Sequence, residues 1–402
     1  MSAWDRLMAL AAIGDTGDGG VNRQALTPGE AEAWRLLLRW AGEAGMEAAT
    51  DDAANLFLTR PGRDRALPPI MLGSHIDTQP TGGKFDGAFG VISAFEAASG
   101  LPATPPRDVT VVAWMNEEGS RFAPGMMGSE AFSGYRSIEA IRACRDAKGI
   151  SAGEAIDAHL AQFADLPRRP FGFPVHAYIE PHIEQGPFLE AAQTPIGIVT
   201  GIQGKITWEI ALTGAEGHAG TLDMAERRDA VVAFARIAAE MQRLVGEADP
   251  IVKFTIGMVK VEPNAPSVVP GRVTFRIDLR HPDNTALQAH GALLEQIAER
   301  LAAPCAVKVT RLVDAPSSEF DPALRARIAQ AAEKLGYPAM AILSAAGHDA
   351  RHMAPRCPSA MIFIPCREGI SHSPLEWSEP ANVQAGAAVL AETLRVLLEE
   401  DA

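Results

Sequence analysis

The chain has 402 residues, 36 Lys and Arg against 50 Asp and Glu, a net charge of −14 and 47% hydrophobic residues. That balance excludes a surface built to neutralise nucleic-acid phosphates or to dock on an anionic membrane, since both need Lys and Arg in excess. No run reaches the roughly 18 apolar residues of a spanning helix, and the scattered cysteines Cys144, Cys305, Cys357 and Cys366 exclude a thiolate zinc site and suit a reducing cytoplasm.

At about 150 residues per domain, the length predicts two or three domains. The opening MSAWDRLMALAAIG has no small-residue cleavage site after it, so it reads as a first helix and not a signal peptide. Thr27 before Pro28 is a helix start with Thr as N-cap, and Gly45 can end that helix. Pro69 to Ser74 reads as a buried strand and Ala88 to Ala98 as a helix. VTVVAWM, Val109 to Met115, is a second buried strand. A helix near Ala152 to Phe163 precedes a strand near His176 to Ile183. This alternation predicts an α/β sheet covered on both faces.

The pattern changes after about residue 200. Strands are predicted over Ile206 to Leu212, Val252 to Val261, Val273 to Leu279 and Val307 to Val313. Helices are predicted over Asp229 to Val245 and Thr285 to Ala302, so that a small open sheet carries two helices. DAPSSEFDP, Asp314 to Pro322, reads as a linker. Beyond it come a helix near Ala323 to Leu335, a strand near Ala360 to Ile364 and a last helix from about Ala381. The expected organisation is one discontinuous α/β domain, residues 1–204 and 317–402, with residues 205–316 inserted.

Chemistry-bearing residues gather where strands end. GSHIDTQPTGGKFDG places His75 and Asp77 directly after a strand and Asp86 in a Gly-rich turn before a helix. An Asp near a His can fix its tautomer, as in metal sites, but a satisfied buried histidine and a helix cap read equally well here. NEEGSRF puts Glu117 and Glu118 side by side at the next strand end. Adjacent carboxylates suit a ligand beside a general base, or a solvated acidic turn. EPHIEQGP carries His182 at the end of a strand, and GISHSPLEW carries His372 after one. Together these sites supply three His, one Asp and one Glu as ligands, with a second Glu spare. That set suits two divalent cations, with zinc, manganese, cobalt or nickel matching imidazole and carboxylate donors. GAEGHAGT places His218 on a glycine-flanked turn, where it is a loop histidine or an oxyanion donor. Arg276 in VTFRIDLR suits a carboxylate clamp, while its neighbour Asp278 can pair with Arg280 on a polar face.

GSHIDTQPTGGKFDG, NEEGSRFAPGMMGS, PHIEQGP, GHAGT and SHSP, in that order from Gly73 to Trp377, resemble the hydantoinase/carbamoylase family of zinc-peptidase-like dinuclear amidohydrolases. That family takes in N-carbamoyl-L-amino-acid amidohydrolases, beta-ureidopropionases and allantoate amidohydrolases. The resemblance implies a mixed-sheet catalytic domain of zinc-peptidase type and an inserted α+β, ferredoxin-like lid and dimerisation domain. It implies that Asp86 bridges two metals, with His75 and His182 on one and Glu118 and His372 on the other. Glu117 is then the general base, Asp77 orients His75, and His218 reaches the partner subunit's site in a homodimer. Gln185, Gln203, Asn264, Arg276 and His348 fall at substrate-side positions. The implied reaction is hydrolysis of an anionic N-carbamoyl amino acid to amino acid, carbon dioxide and ammonia in the cytoplasm.

One departure from the family pattern stands beside His218, where Leu222 and Asp223 replace the usual Thr-Pro before Met224. The change touches no implied ligand but removes a rigid residue and adds a charge. GGKFDG and QPT lean towards carbamoylase over allantoate chemistry. His182, where many peptidase and aminoacylase relatives carry an acid, argues against those activities. A non-catalytic scaffold predicts lost ligands, and all five are present with Glu117.

Overall fold

A computed structural model describes residues 1–400. The strands in chain order are β1 (Glu47–Thr50), β2 (Leu56–Arg60), β3 (Ile70–His75), β4 (Val109–Trp114), β5 (Ala177–Ile183), β6 (Ile196–Ile202), β7 (Gly204–Thr213), β8 (Gly217–His218), β9 (Lys253–Glu262), β10 (Val268–Val269), β11 (Arg272–His281), β12 (Ala306–Ala315), β13 (Ser318–Glu319), β14 (Ala339–Ser344) and β15 (Ser359–Ile364). Two compact units result: one runs from Met1 to Gly201 and resumes at Glu319, the other is Ile202–Ser318.

The larger sheet has the order β1-β2-β4-β3-β5-β15-β6-β13, with β14 also on β6. Its centre is parallel: β3 pairs with β4 and β5, and β5 with β15. Every residue of β3, β4, β5 and β15 is buried, as continuous apolar runs demand of a sheet covered on both faces. On one face Ile70, Leu72, Val111, Ile179 and Ile362 join a core with the helices Ala88–Ser99 and Pro380–Glu399. On the other, Trp114 packs against Phe132 and Phe57 at ring distances of 5.3 and 6.3 Å.

Two local expectations are refined. Thr27 is the N-cap of the helix Pro28–Glu43 with Pro28 at its first position, as expected, but the Thr27 hydroxyl donates to the Gln24 carbonyl and makes no cap bond; Glu30 accepts the Leu26 N–H at 2.6 Å. The stretch Asp314 to Pro322 carries the chain from the second unit back to the first, but most of it is regular structure and not a free linker. β12 runs to Ala315, β13 adds to the large sheet, and Asp321 caps the helix Pro322–Lys334 through the Leu324 N–H. A two-residue edge strand and a cap use the same Ser, Asp and Pro that mark a linker.

The second unit runs strand, helix, strand, strand, helix, strand. Its antiparallel sheet has the order β12-β7-β11-β9, the ferredoxin-like arrangement. β7 and β11 alternate strictly, burying Ile206, Trp208, Ile210 and Leu212 beside Val273, Phe275, Ile277 and Leu279. The helices Ala230–Met241 and Asn284–Leu301 share this core. Among the described residues no helix is long and apolar enough to cross a membrane.

One core residue makes stability pH-dependent. His159 is 2% exposed, edge-on to Trp34 at 4.5 Å, with no hydrogen bond to either ring nitrogen. Burial, helped by Arg35, pushes its pKa down to about 4. Between pH 6.5 and 4 the unfolded chain therefore binds a proton that the folded ring refuses, so stability falls as pH falls. His159→Phe is expected to flatten this limb, by up to about 3 kcal/mol at its acid end. Urea midpoints of both proteins across that range check it, and parallel curves would refute it.

Candidate metal centre

Because β3, β4, β5 and β15 are parallel, their carboxyl ends lie at one end of the sheet, where open α/β sheets place ligands. β3 ends at His75, β4 leads to Glu117 and Glu118, β5 carries His182, and the chain after β15 reaches His372. Three residues beside this convergence, Asn116, Gln185 and His372, hold left-handed φ values of 54°, 55° and 54°. Strained backbone of that kind persists where surrounding contacts over-determine it, commonly at functional sites. Gly87 has φ 61°, and a Cβ there would lie 2.4 Å from the His75 ring, so only glycine lets the turn close over that imidazole.

Two groups of ligand atoms result, each within 4.8 Å: His75, Asp86 and His182, and Asp86, Glu118 and His372. Asp86 belongs to both and divides its oxygens between them. Oδ1 lies 3.2 Å from His182 Nε2 and 3.7 Å from His75 Nε2. Oδ2 lies 3.2 Å from His372 Nε2, which is itself 3.3 Å from Glu118 Oε2. The buried imidazoles are oriented by main-chain carbonyls: His75 Nδ1 is 3.0 Å from the Asp77 carbonyl and His182 Nδ1 is 2.9 Å from that of Ile183. A ring proton on Nδ1 leaves the Nε2 lone pair facing Asp86, the tautomer a metal ligand needs. The Gly87 N–H, 3.2 Å from His182 Nε2, donates to that same lone pair.

The electrostatics favour cations. Glu117 Oε2 lies 3.4 Å from His75 Nε2. Burial raises Glu117 well above the usual carboxylate range, and the charges of Asp349, Glu118, Asp77 and Asp86 raise it further. Burial and Asp86 do the same to Glu118. Burial lifts Asp77 to about 7. Asp86 alone among these is held well below its ordinary value: burial opposes this, but the His182 and His372 imidazoles, each 3.2 Å from one of its oxygens, outweigh it. So many carboxyls in one dry site repel unless positive charge is supplied, and His and carboxylate donors without thiolate fit hard or borderline divalent ions.

A family model for peptidase family M20/M25/M40 matches residues 71–396. The chain belongs to peptidase family M20/M25/M40. Within and around that family it is 41% identical over 395 residues to N-carbamoyl-L-amino-acid amidohydrolase of Rhizobium meliloti, covering 96% of this chain and 94% of the relative. It is 35% identical over 393 residues to allantoate amidohydrolase of Escherichia coli, covering 95% and 94%. A solved amidase of the hydantoinase/carbamoylase family from Burkholderia multivorans superposes with a TM-score of 0.87 at 40% identity, over 98% of this chain and 96% of that one.

In this M20 chain several sequence expectations are refined. Asp77 meets the His75 Nδ1 through its carbonyl; its carboxylate accepts the Glu117 and Glu118 N–H groups at 3.1 and 3.2 Å, fixing where both glutamates leave the strand. Asp86 caps no helix, since Gly87 stands between it and the helix start. Gln185 rests on the centre itself, its amide donating to Asp86 Oδ2 at 2.9 Å. His348 is buried with Nε2 3.0 Å from Ser344 Oγ and its ring 4.4 Å from that of His182. Gln203, His218, Asn264 and Arg276 belong to the second unit. There β8, carrying His218, pairs with β10, and the Gly220 N–H donates to His218 Nδ1 at 3.0 Å. A neutral His218 ring thus keeps its proton on exposed Nε2. Gln203 is buried, and Asn264 follows β9 with φ 57°. Arg276 is exposed and not unpaired: Nε and Nη2 both rest on Glu209 Oε2, at 3.0 and 2.9 Å. Asp278 pairs with Arg280.

Gln79, Ser371 and Glu376, which lie within the same motifs, also belong to the centre. Gln79 donates to Glu118 Oε2 at 2.8 Å. Ser371 lies 3.0 Å from Asp86 Oδ2, and Glu376 is buried behind the Asp86 turn. A polar residue fixed within QPT or SHSPLE is the only signal that could have found them.

Proposed function

We propose that this chain is a dinuclear metal-dependent hydrolase of non-peptide C–N bonds whose substrate is an N-carbamoyl amino acid. The observation that carries the reading is the shared Asp86: one carboxylate serving two ligand groups, with Glu117 beside them outside both. His75, Asp86 and His182 would hold one cation, and Asp86, Glu118 and His372 the other. Bound there, divalent ions supply Lewis acidity, lowering the pKa of water and polarising a carbonyl.

The remaining work belongs to the protein. Glu117 takes a proton from the attacking water at a carboxylate oxygen and returns it to the leaving nitrogen. The Asp77 carboxylate holds the backbone of Glu117 and Glu118 while they act. His218 offers its Nε2–H to the oxyanion that develops on the ureido carbon. Arg276 binds the substrate carboxylate, which competes with Glu209 for the guanidinium, and Gln185, Gln203, Asn264 and His348 complete the contacts. The second unit acts as lid and dimerisation domain of a homodimer, and all four cysteines being free supports a reducing, cytoplasmic location.

Two substrates deserve direct comparison because the relatives divide between them. In an ammonia-release assay with added Mn2+, Co2+ or Zn2+, N-carbamoyl-L-amino acids are expected to exceed allantoate, N-acetyl amino acids and a dipeptide. Faster turnover of allantoate would move the assignment to allantoate amidohydrolase. Release from the dipeptide alone would return the chain to peptidase chemistry.

A further inference from the structure

We propose that Glu376 is a positioning residue that locks the Asp86 turn to the His372 loop and so builds the second metal site. The inference rests on the two-metal reading above and deepens it. Glu376 is 2% exposed, and its carboxylate bonds to the Asp86 turn and to Ser371. Oε1 accepts the N–H groups of Phe85 and Asp86 at 2.8 and 3.1 Å. Oε2 lies 3.0 Å from the Ser371 hydroxyl, which lies equally 3.0 Å from Asp86 Oδ2. One carboxylate therefore grips the main chain of one ligand and the residue preceding another, ligands 286 positions apart in sequence (Asp86 and His372). The turn is shaped to admit it: a Cβ on Gly83 would lie 2.2 Å from the Glu376 carboxyl carbon.

The other ligands have further holds of their own outside this lock. His75 and His182 are held by the carbonyls of Asp77 and Ile183. Glu118 is held by Gln79 and by the Asp77 carboxylate. Glu376 thus acts directly on the Asp86 turn and, through Ser371, on the His372 loop, and of the two groups only Asp86, Glu118 and His372 contains both ligands. His372 needs such support, because its side chain is 48% exposed while those of His75 and His182 are 1% exposed. Removing the lock should loosen one site far more than the other, which general loss of packing would not do.

The test is calorimetric titration of chelator-stripped full-length protein with Mn2+ alone. Glu376→Ala is expected to weaken the second equivalent by about 10–100-fold and the first by much less, the usual scale for a residue that orients ligands. Glu376→Gln keeps the oxygen that accepts both N–H groups and should recover most of that loss. Ser371→Ala removes only the hydroxyl link and should weaken the same equivalent by less. Should the alanine variant fail to fold, these two milder changes decide. Equal weakening of both equivalents, or affinities unchanged from wild type, would overturn the proposal while leaving the two-metal reading intact. Wild-type protein taking up fewer than two equivalents would overturn that reading and this one with it.

Discussion

Glu117→Gln protein is expected to retain its full metal content and lose ammonia release by about 10²–10⁴-fold, the range a positioned general base contributes. The substitution keeps size and removes only the ability to take a proton. Glu117 lies outside both ligand groups, so no ligand atom changes. It also removes a carboxyl whose ionisation burial, and then the charges of Asp349, Glu118, Asp77 and Asp86, oppose in the stripped site. The stripped variant should therefore be at least as stable as stripped wild type near neutral pH. Metal analysis beside steady-state kinetics separates the outcomes. Near-normal turnover removes Glu117 as base, whereas activity lost together with metal makes it a structural prop of the centre.

The contrast between Glu117 and Gln185 illustrates what the sequence could carry. Strand-end positions were legible because β-branched runs announce buried strands, and parallel strands bring their carboxyl ends together whatever the loops do. His75 and His182 lie in the last residues of such runs and Glu118 and His372 come after them, so their convergence follows from topology. The two oxygens of Asp86, the carbonyl partners of the imidazoles and the contact of Gln185 with Asp86 depend on turn geometry within single residues, and on left-handed φ values at Gln185 and His372. No periodicity encodes those. The second unit shows the same division. Strict alternation in β7 and β11 makes its sheet readable, yet which polar residue pairs with Arg276 is fixed by cross-strand register. Arg276 stands opposite Glu209 on β7, so it pairs there and not with Asp278 on its own strand.

Asp86→Asn should empty both metal sites while leaving the fold intact. Asp86 is the one residue common to the two groups; without its charge each keeps only two of its three ligands. The amide is well received by the stripped site. With its oxygen in the place of Oδ2 it still accepts from Gln185 and Ser371, which lie 2.9 and 3.0 Å from that atom. Its NH2 then replaces Oδ1, 3.2 Å from His182 Nε2, beside the lone pair that already accepts the Gly87 N–H. The variant thus loses the charged donor that both ligand groups would share, and like charge next to Glu118 and Glu376, both raised first by burial and then by Asp86, is relieved. Three measurements should move together: metal content near zero, ammonia release below detection, and a melting temperature indifferent to chelator. Wild type should instead lose stability on chelation, by RT ln(1 + [M]/Kd) for each ion that only the folded chain binds. A chelator-sensitive melt in the Asn variant would mean that metal still binds without the bridge, and the shared carboxylate would no longer define the centre.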